Sequence, residues 1–475
     1  MPIQVDVAVL GGGPGGYTAA IRAAQEGKKV AIVERSQLGG TCLHKGCIPS
    51  KALLRSAEVY ASLLHADTYG IKIDREAFKL DFGAVQARKE KTVEQLHRGL
   101  IQLIKKHGIE VIYGKGRIVG PSIFSPKSGS LAVELDNGEM ESVVSRHLIV
   151  ATGSRPRQLP GLEADGVHVL TSDDALKLEA LPETLLIAGG GVIGVEWASM
   201  LSDFGTKVTL VEAASRLLPA EDPDVSAAIA KALGSRGVRI LTGATIQADS
   251  LVSGDAGVTI TAKIGETQET LTADKLLVSV GRQANVESIG LENTDIAVKN
   301  GWIKVKSTLQ TGEPHIYAIG DVTGGVQLAH AAAHEGIFAV EHLLGLDPQP
   351  LADHRIPRCV YSRPETASVG YTEEQARVKG HDPVVAKIPF AAIAKAIVQG
   401  DTEGFVKVIA DRNSQDLLGV HMVGAHVTEL IAEASLAQYL DAVPWEVGSS
   451  FHPHPSLSEA MGEAMLAING KALNF

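Results

Sequence analysis

The chain has 475 residues, 45% of them hydrophobic, and a formal net charge of −11. Its length suggests about three domains, and its hydrophobic fraction suffices for sizeable cores. The negative charge argues against nucleic acid or an anionic membrane surface as a partner. The apolar stretches are interrupted by charges well before the roughly 18 residues that a membrane span needs.

The cysteine content and the first residues bear on the compartment. Three cysteines are too few for a secreted disulfide framework. The start of the chain has no basic region followed by an apolar stretch. The sequence therefore favours the cytoplasm, and an organelle protein whose transit peptide was removed would show the same pattern.

A glycine-rich turn follows the first predicted strand. Residues 5–10 are typical of a buried strand, 17–26 of a helix and 30–34 of a second strand. In a dinucleotide fingerprint, the first glycine makes a tight turn, the second lets the backbone reach a pyrophosphate, and the third lets helix pack on strand. The matching glycines are Gly11, Gly13 and Gly16. Glu34, 23 residues after Gly11, can accept from a ribose hydroxyl. A generic glycine turn is the alternative.

The same unit recurs downstream. A strand at 185–188, a helix at 195–204 and a strand at 207–212 surround a second fingerprint with identical internal spacing. Its residues are Gly189, Gly191, Gly194 and, 23 residues after the first of these, Glu212. The two copies start 178 residues apart. They predict two nucleotide-binding domains of similar α/β fold.

Two dinucleotide sites in one chain indicate one flavin and one nicotinamide, which together form a hydride donor and acceptor. Glu212 would repel a 2′-phosphate and accept from a 2′-hydroxyl, which favours NAD over NADP. Arg216, four residues further on, has the opposite charge and weakens this inference.

The rest of the chain is less regular up to about residue 351, where its character changes. Residues 80–107 are expected to be helix-rich, and residues 110–150 and 246–280 to contain short strands and turns. Residues 351–475 combine short strands such as 405–410 with a helix near 428–440. This last part shows no nucleotide loop, so catalysis or assembly is its expected role.

Cys42 and Cys47 lie shortly after Glu34. In a regular α-helix, residues five apart have Cα atoms roughly 8–9 Å apart, whereas a disulfide needs less than about 7 Å. If the two cysteines pair, this segment is therefore not regular helix throughout. Gly46 permits an irregular turn, and Pro49 suits a first helical turn.

The surroundings of the cysteines favour redox chemistry. A thiol at a helix start has a lowered pKa, and Lys45 and Lys51 add positive charge. Two alternatives are a metal site formed with His44, and inert buried thiols. Cys359, alone on an apolar stretch, is expected to be a core residue.

Several ordered motifs resemble one family. They are the segment 39–51, Ala151-Thr152-Gly153-Ser154, the second fingerprint with Glu196, Gly281-Arg282, residues 316–322 with Gly320 and Asp321, and residues 452–459. Over essentially the whole chain this pattern resembles the pyridine nucleotide–disulfide oxidoreductases, and most closely their lipoamide branch. Ser456 stands where a threonine is usual, and His44-Lys45 where Asn-Val is frequent.

The resemblance implies roles for individual residues. Cys42 would exchange with the sulfur of lipoamide, and Cys47 would lie against the flavin. Lys51, paired with Glu196, would sit near the reactive flavin nitrogen, and Asp321 would bind the ribityl region.

The resemblance also implies that His454 is a base from the second subunit of a homodimer, oriented by Glu459. A neutral histidine titrates near enough to neutrality to take a thiol proton, and a carboxylate can fix its tautomer. His452 is the rival, and a purely structural histidine is the alternative.

The implied fold is α/β, with two Rossmann-like dinucleotide-binding domains and a C-terminal α+β dimerisation domain. Residues 1–153 and 281–350 would bind FAD, 154–280 would bind NAD, and 351–475 would form the interface. The implied reaction oxidises protein-bound dihydrolipoamide and reduces NAD⁺. The lipoyl-bearing partners would belong to 2-oxoacid dehydrogenase or glycine cleavage complexes, and no metal is implied.

Other functions agree less well with the sequence. A glutathione-disulfide reductase would use NADP and have arginines near Glu212. A mercuric reductase would end in paired cysteines, and a soluble transhydrogenase would lack the redox pair. A non-catalytic flavoprotein scaffold would have no need of Cys42, Cys47, His454 and Glu459.

Overall fold

The structure, a computed structural model, describes residues 2–74, 78–121 and 127–474. The chain divides into two units, the first comprising 1–52, 86–157 and 281–351, and the second 53–85, 158–280 and 352–475. The helices Cys47–Leu64 and Phe82–Lys106 contain residues of both units. Within the described ranges, no helix is both long and apolar enough to cross a membrane.

The first unit is built on a parallel sheet. Its strand order is Glu110–Val119, Val30–Glu34, Ile3–Leu10, Met140–Val150 and Ile316–Ala318. Two of these strands extend beyond the parallel part of the sheet. The C-terminal half of Glu110–Val119 and the N-terminal end of Met140–Val150 each pair antiparallel with Ser130–Leu135. The middle strands are apolar because helices cover the sheet, as is usual for parallel sheets.

The helices Pro14–Gln25 and Ala329–Leu343 pack together in this unit. The first begins three residues before the expected Tyr17, because Pro14 suits the first turn, where its missing N–H is not needed. The unit also contains Gly40–Lys45, Ser154–Pro156, Arg282–Ala284, Leu291–Asn293, Val298–Lys299, Trp302–Ile303 and Gly320–Thr323.

The second unit repeats this architecture. Its parallel sheet has the order Arg239–Thr242, Lys207–Glu212, Thr184–Ala188, Lys275–Val278 and Val169–Leu170. A separate antiparallel sheet contains Ala244–Gly254, Gly257–Ile264 and Thr267–Ala273. The helices of this part are Ser172–Ala175, Val192–Asp203 and Pro223–Ser235. The predicted pair of similar α/β folds is confirmed, although Val192–Asp203 begins three residues earlier than expected.

The second unit also contains an antiparallel sheet from the last third of the chain. Its strand order is Arg358–Val360, Glu365–Gly370, Leu417–Gly424, Phe405–Asp411 and Pro383–Pro389. Helices Val427–Tyr439 and Glu459–Ala467 pack against this sheet and share its apolar core. The remaining elements of the unit are Ala66–Tyr69, Asp353–Arg355, Glu373–Val378, Phe390–Ala392, Ala394–Gln399 and Pro444–Gly448.

His421 lies fully buried in the middle of this antiparallel sheet. Its Nε2 lies 3.0 Å from the carbonyl oxygen of Tyr371, and its Nδ1 has no hydrogen-bond partner among the described residues. Burial lowers the pKa of His421 more strongly than its bond to Tyr371 and the nearby Asp222 and Glu221 raise it, and Arg358 lowers it further. His421 is therefore expected to be neutral in the folded protein.

We expect acid to destabilise the fold through His421. An unfolded histidine gains a proton near pH 6.5, whereas the folded pKa of His421 is lower. Below about pH 6.5 the unfolded state binds more protons, so this contribution to stability is complete at higher pH and is lost as pH falls. Thermal unfolding of wild type and His421→Gln between about pH 5 and 7.5 tests this. The variant should lose less stability than wild type on acidification. Equal losses would contradict the conclusion that His421 is neutral in the folded protein.

Candidate active site

The two glycine loops have the same geometry. Gly11 and Gly189 have φ of +108° and +106°, a region that L side chains rarely adopt. A Cβ on Gly16 or Gly194 would lie 1.9 Å from the carbonyl oxygen of the first glycine of its loop. Each loop therefore needs glycine at both positions, as the fingerprint predicts.

Glu34 and Glu212 each accept a hydrogen bond from the glycine loop of their own dinucleotide fold. Glu34 Oε2 accepts a hydrogen bond from the amide of Gly12 at 2.7 Å, and Glu212 Oε2 accepts one from Gly190 at 2.6 Å. The second oxygens accept from Ser36 at 2.9 Å and from Ala214 at 2.7 Å. The equal spacing of the two acids thus has a structural cause that the sequence alone does not reveal.

The loops leave space where a pyrophosphate would lie. A Cβ on Gly13 would meet nothing closer than 4.0 Å, and one on Gly191 would meet nothing within that distance. Each residue precedes a helix whose N-terminus has no side-chain cap. The uncapped amides and the open space at each loop fit the phosphates of a dinucleotide.

The cysteines flank a helix break. Cys42 lies on Gly40–Lys45, and Cys47 is the first residue of Cys47–Leu64. Gly46 between them has φ −151° and ψ −111°, far from helical values. The predicted irregular turn at Gly46 is confirmed, and Pro49 lies in the first turn of the second helix. Both cysteines are reduced here, and they are hydrogen-bonded to each other.

The proton on Cys42 is tightly held. A hydrogen bond with Cys47, burial and the charge of Cys47 raise the pKa of the Cys42 thiol, and Lys51 opposes them. The sequence predicts a thiolate-favouring site near the helix start. At Cys42, the hydrogen bond with Cys47 and burial outweigh the opposing charge of Lys51. The cysteine at the helix start is Cys47, and a lowered pKa for its thiol stays a prediction.

His44 anchors the turn that carries Cys42. Its Nε2 lies 2.8 Å from the carbonyl oxygen of Leu38, and its ring meets that of His97 edge-on at 4.9 Å. Within the described part of the chain, no three His, Cys, Asp or Glu side chains form a group that could hold a metal ion.

A polar cluster surrounds Asp321 in the first unit. Its carboxylate accepts a hydrogen bond from Ser154, and Arg282 Nε donates to the Ser154 hydroxyl at 2.7 Å. Glu335 accepts from the adjacent Gly320 amide at 2.6 Å. The structure thus brings together Asp321, Arg282 and Gly320. Glu335 was missed because no spacing rule links it to the motif.

Thr152 and Gly153 lie beside this cluster. The Thr152 hydroxyl donates to the carbonyl oxygen of Asn285 at 2.8 Å, and the carbonyl of Gly153 accepts from the Asn285 amide at 3.0 Å. The carbonyl of Gly281 accepts from the amide of Arg157 at 3.0 Å. These bonds tie the end of the first segment to residues beyond 280, as expected for one cofactor domain made of two segments.

His454 and Glu459 form a pair in the second unit. His454 Nδ1 lies 2.8 Å from Glu459 Oε1, and the histidine side chain is 73% exposed. Burial raises the pKa of Glu459, but hydrogen bonds from Ser456 and His454 outweigh it and hold that pKa below its usual value. An ionised Glu459 fixes the proton on Nδ1, so that Nε2 can accept another.

His452 is already engaged. Its Nε2 lies 2.8 Å from Glu433, and its side chain is only 11% exposed. The hydrogen bond to Glu433 raises the pKa of His452 above its usual value. Of the two histidines, only His454 presents a ring nitrogen toward solvent with a carboxylate behind it, which favours His454 as the base.

Glu196 is buried on Val192–Asp203 and accepts from the Tyr361 amide at 3.0 Å. Lys51 belongs to the first unit and Glu196 to the second. Their pairing stays a prediction.

The chain belongs to the pyridine nucleotide-disulphide oxidoreductases. The model of that family matches residues 5–336, and the model of the family's dimerisation domain matches 356–465. The chain is thus a flavin-dependent disulfide oxidoreductase of a family that uses FAD and a pyridine nucleotide.

Curated relatives define the branch. The chain is 56% identical to a dihydrolipoyl dehydrogenase of Bacillus subtilis and 46% identical to one of Zymomonas mobilis, with 100% of each chain covered. Among solved structures, LpdA from Mycobacterium tuberculosis superposes with a TM-score of 0.90 at 28% identity, covering 98% of this chain and 99% of LpdA. The flavoprotein disulfide reductase RclA from Escherichia coli reaches 0.84 at 31% identity, with 98% and 99% covered.

Proposed function

We propose that the protein oxidises protein-bound dihydrolipoamide to lipoamide and reduces NAD⁺ to NADH. The observation that carries this proposal is the pair Cys42 and Cys47, which flank a helix break and are hydrogen-bonded to each other in the same unit as a complete dinucleotide loop. The similarity to dihydrolipoyl dehydrogenases over the full chain supports the substrate.

The cysteines would exchange sulfur bonds with the substrate. One dihydrolipoamide thiolate attacks Cys42 of the oxidised pair, and Cys47 leaves as a thiolate. The second substrate thiolate then attacks the sulfur bound to Cys42, releases lipoamide and leaves both cysteines reduced. Two electrons thereby pass from the substrate to the two cysteines. The Cys42 thiolate then takes up one of the substrate's two protons, because its hydrogen bond with Cys47 and burial raise its pKa.

His454 would take the substrate protons. Its Nε2 is available because Glu459 engages Nδ1, and a base must come within about 3 Å of the proton, directly or through a water. We infer that His454 reaches the cysteines of the partner subunit in a homodimer, in agreement with the matched dimerisation domain.

The cofactors would bind at the two loops. We assign FAD to Gly11, Gly13, Gly16 and Glu34, with Lys51, Thr152, Gly153, Gly281, Arg282, Gly320 and Asp321, and NAD to Gly189, Gly191, Gly194, Glu196 and Glu212. When bound, FAD would supply a two-electron acceptor for the dithiol, and NAD⁺ would supply the final hydride acceptor. The division into 1–153 with 281–350, 154–280 and 351–475 follows from this assignment.

The partners would be lipoyl-bearing domains of 2-oxoacid dehydrogenase or glycine cleavage complexes, in the cytoplasm. The decisive assay compares substrates. The FAD-loaded protein should reduce NAD⁺ with dihydrolipoamide at least about 100-fold faster than it reduces NADP⁺, and should turn over glutathione disulfide poorly. Efficient glutathione reduction with NADPH would contradict the proposal.

A further inference from the structure

A row of polar side chains crosses the C-terminal antiparallel sheet. Consecutive strands place its members directly opposite one another, in the order Lys387, Lys407, His421, Ser368 and Arg358. Directly opposed residues point to the same face of a sheet. Most such faces in a core are apolar, so this row requires polar partners.

The partners come from the acidic segment 221–224. Lys407 Nζ lies 3.0 Å from both Asp222 and Asp224, and Lys387 lies 3.4 Å from Asp224. Glu221 accepts from Arg358 at 3.0 Å and from Ser368 at 2.6 Å. The cations and acids are equal in number with His421 neutral. Asp222 is 0% and Glu221 5% exposed, so these two acids are held by buried charge pairs, whereas the side chain of Asp224 is 42% exposed.

The acidic segment in turn holds the loop that follows Glu212. Arg216 donates to the carbonyl oxygens of Pro219 at 2.9 Å and Glu221 at 3.3 Å. The amide of Leu218 donates to Gly190, in the glycine loop, at 2.9 Å. The sheet, the acidic segment, Arg216 and the dinucleotide loop are therefore linked by consecutive hydrogen bonds.

The Arg216 guanidinium is held in a partly unsatisfied position. Its Nε is buried without a hydrogen-bond partner among the described residues. Arg216 also lines a cavity of about 510 Å³ together with Ser215 and Thr242. If the guanidinium lost its carbonyl partners, it would have room to turn. It could then bind a 2′-phosphate, which can accept two hydrogen bonds from one arginine.

We propose that the polar row and Glu221 form a specificity-determining positioning device, which keeps Arg216 engaged with backbone carbonyls and away from the adenosine ribose. The inference rests on the proposed binding of NAD at the second loop and deepens it. Glu212 selects against the 2′-phosphate by repulsion. The polar row prevents the Arg216 guanidinium, which would attract the 2′-phosphate, from binding it.

Glu221→Gln tests the device. The change keeps the shape of the side chain but removes the charge that pairs with Arg358, so the segment that holds Arg216 should loosen. Dissociation constants for NADH and NADPH are measured on the FAD-loaded protein, together with dihydrolipoamide kcat. We expect the preference for NADH to narrow about fivefold with kcat within about twofold, because the loss of one charged hydrogen bond is only partly transmitted.

Ser368→Ala and Arg239→Ala complete the experiment. Ser368→Ala removes one hydrogen bond to Glu221 and should narrow the preference for NADH over NADPH by a smaller factor. It serves as the test if Glu221→Gln does not fold. Arg239→Ala breaks an exposed ion pair with Glu269 in the same unit and should leave the preference unchanged.

Two negative results have different meanings. If Glu221→Gln or Ser368→Ala folds and prefers NADH over NADPH as strongly as the control Arg239→Ala does, the proposed positioning of Arg216 is wrong. The proposed function is unaffected by that result. If the wild-type protein binds NADPH as tightly as NADH, the proposed NAD site itself is wrong. Glu212→Ala would then also leave the ratio of the two dissociation constants unchanged.

Discussion

Replacement of Cys47 by serine is expected to abolish dihydrolipoamide turnover while FAD stays bound. Serine cannot leave as a thiolate or form the disulfide with Cys42, so the relay loses its acceptor. The loss should be at least about 10³-fold, as for the removal of other covalent catalytic residues. The flavin loop does not depend on this side chain, so the protein should remain yellow and be reducible by NADH.

Cys359→Ser is the matched control for this experiment. Cys359 lies on Arg358–Val360, beside the core of the C-terminal sheet and in the other unit. Turnover should stay within about threefold of wild type, since Cys359 lies outside the proposed relay and packs against the core of the C-terminal sheet. A Cys47→Ser protein that folds but is colourless would show that Cys47 is structural, and one with wild-type turnover would exclude the redox pair.

Removal of His454 is expected to slow turnover by about 10² to 10⁴, the usual contribution of a general base. The loss should be greatest near neutral pH, where a substrate thiol is mostly protonated. His452→Gln is the control, because His452 is engaged by Glu433 and mostly buried. It should cost stability more than rate. Equal rate losses for both variants would argue against His454 as the base.

A mixed dimer tests whether His454 acts on the partner subunit. The Cys42→Ser protein is expected to be inactive, and the His454→Ala protein to keep only the low residual activity given above. After subunit exchange, a mixed dimer should regain one working site, with both cysteines from one chain and the histidine from the other. Separate affinity tags verify the mixed species. A verified mixed dimer without activity would place His454 in the site of its own chain.

The acids of the two loops show how far sequence spacing reaches. Glu34 and Glu212 were both singled out as ribose partners at equal distances from their glycines. The structure adds that each acid first binds an amide of its own loop. An amide hydrogen bond of this kind depends on the approach of two strand ends, which the spacing permits but does not describe.

The sequence by itself determined the features that depend on local backbone sterics. Gly16 and Gly194 leave no room for a Cβ, Gly46 breaks a helix between two cysteines, and Glu459 lies five positions after His454. Each constraint acts within a few residues or within one strand–turn–helix unit, so a short window of sequence contains it.

Only the tertiary structure decided which distant residues meet. It set the strand order of the sheets, brought Glu335 to Gly320, separated exposed His454 from engaged His452, and placed Lys407 opposite His421 and beside Asp222. These partners arise from chain segments that have no common spacing. Their pairing follows from burial, because a polar group that loses water in a core must find its partner wherever the fold supplies one.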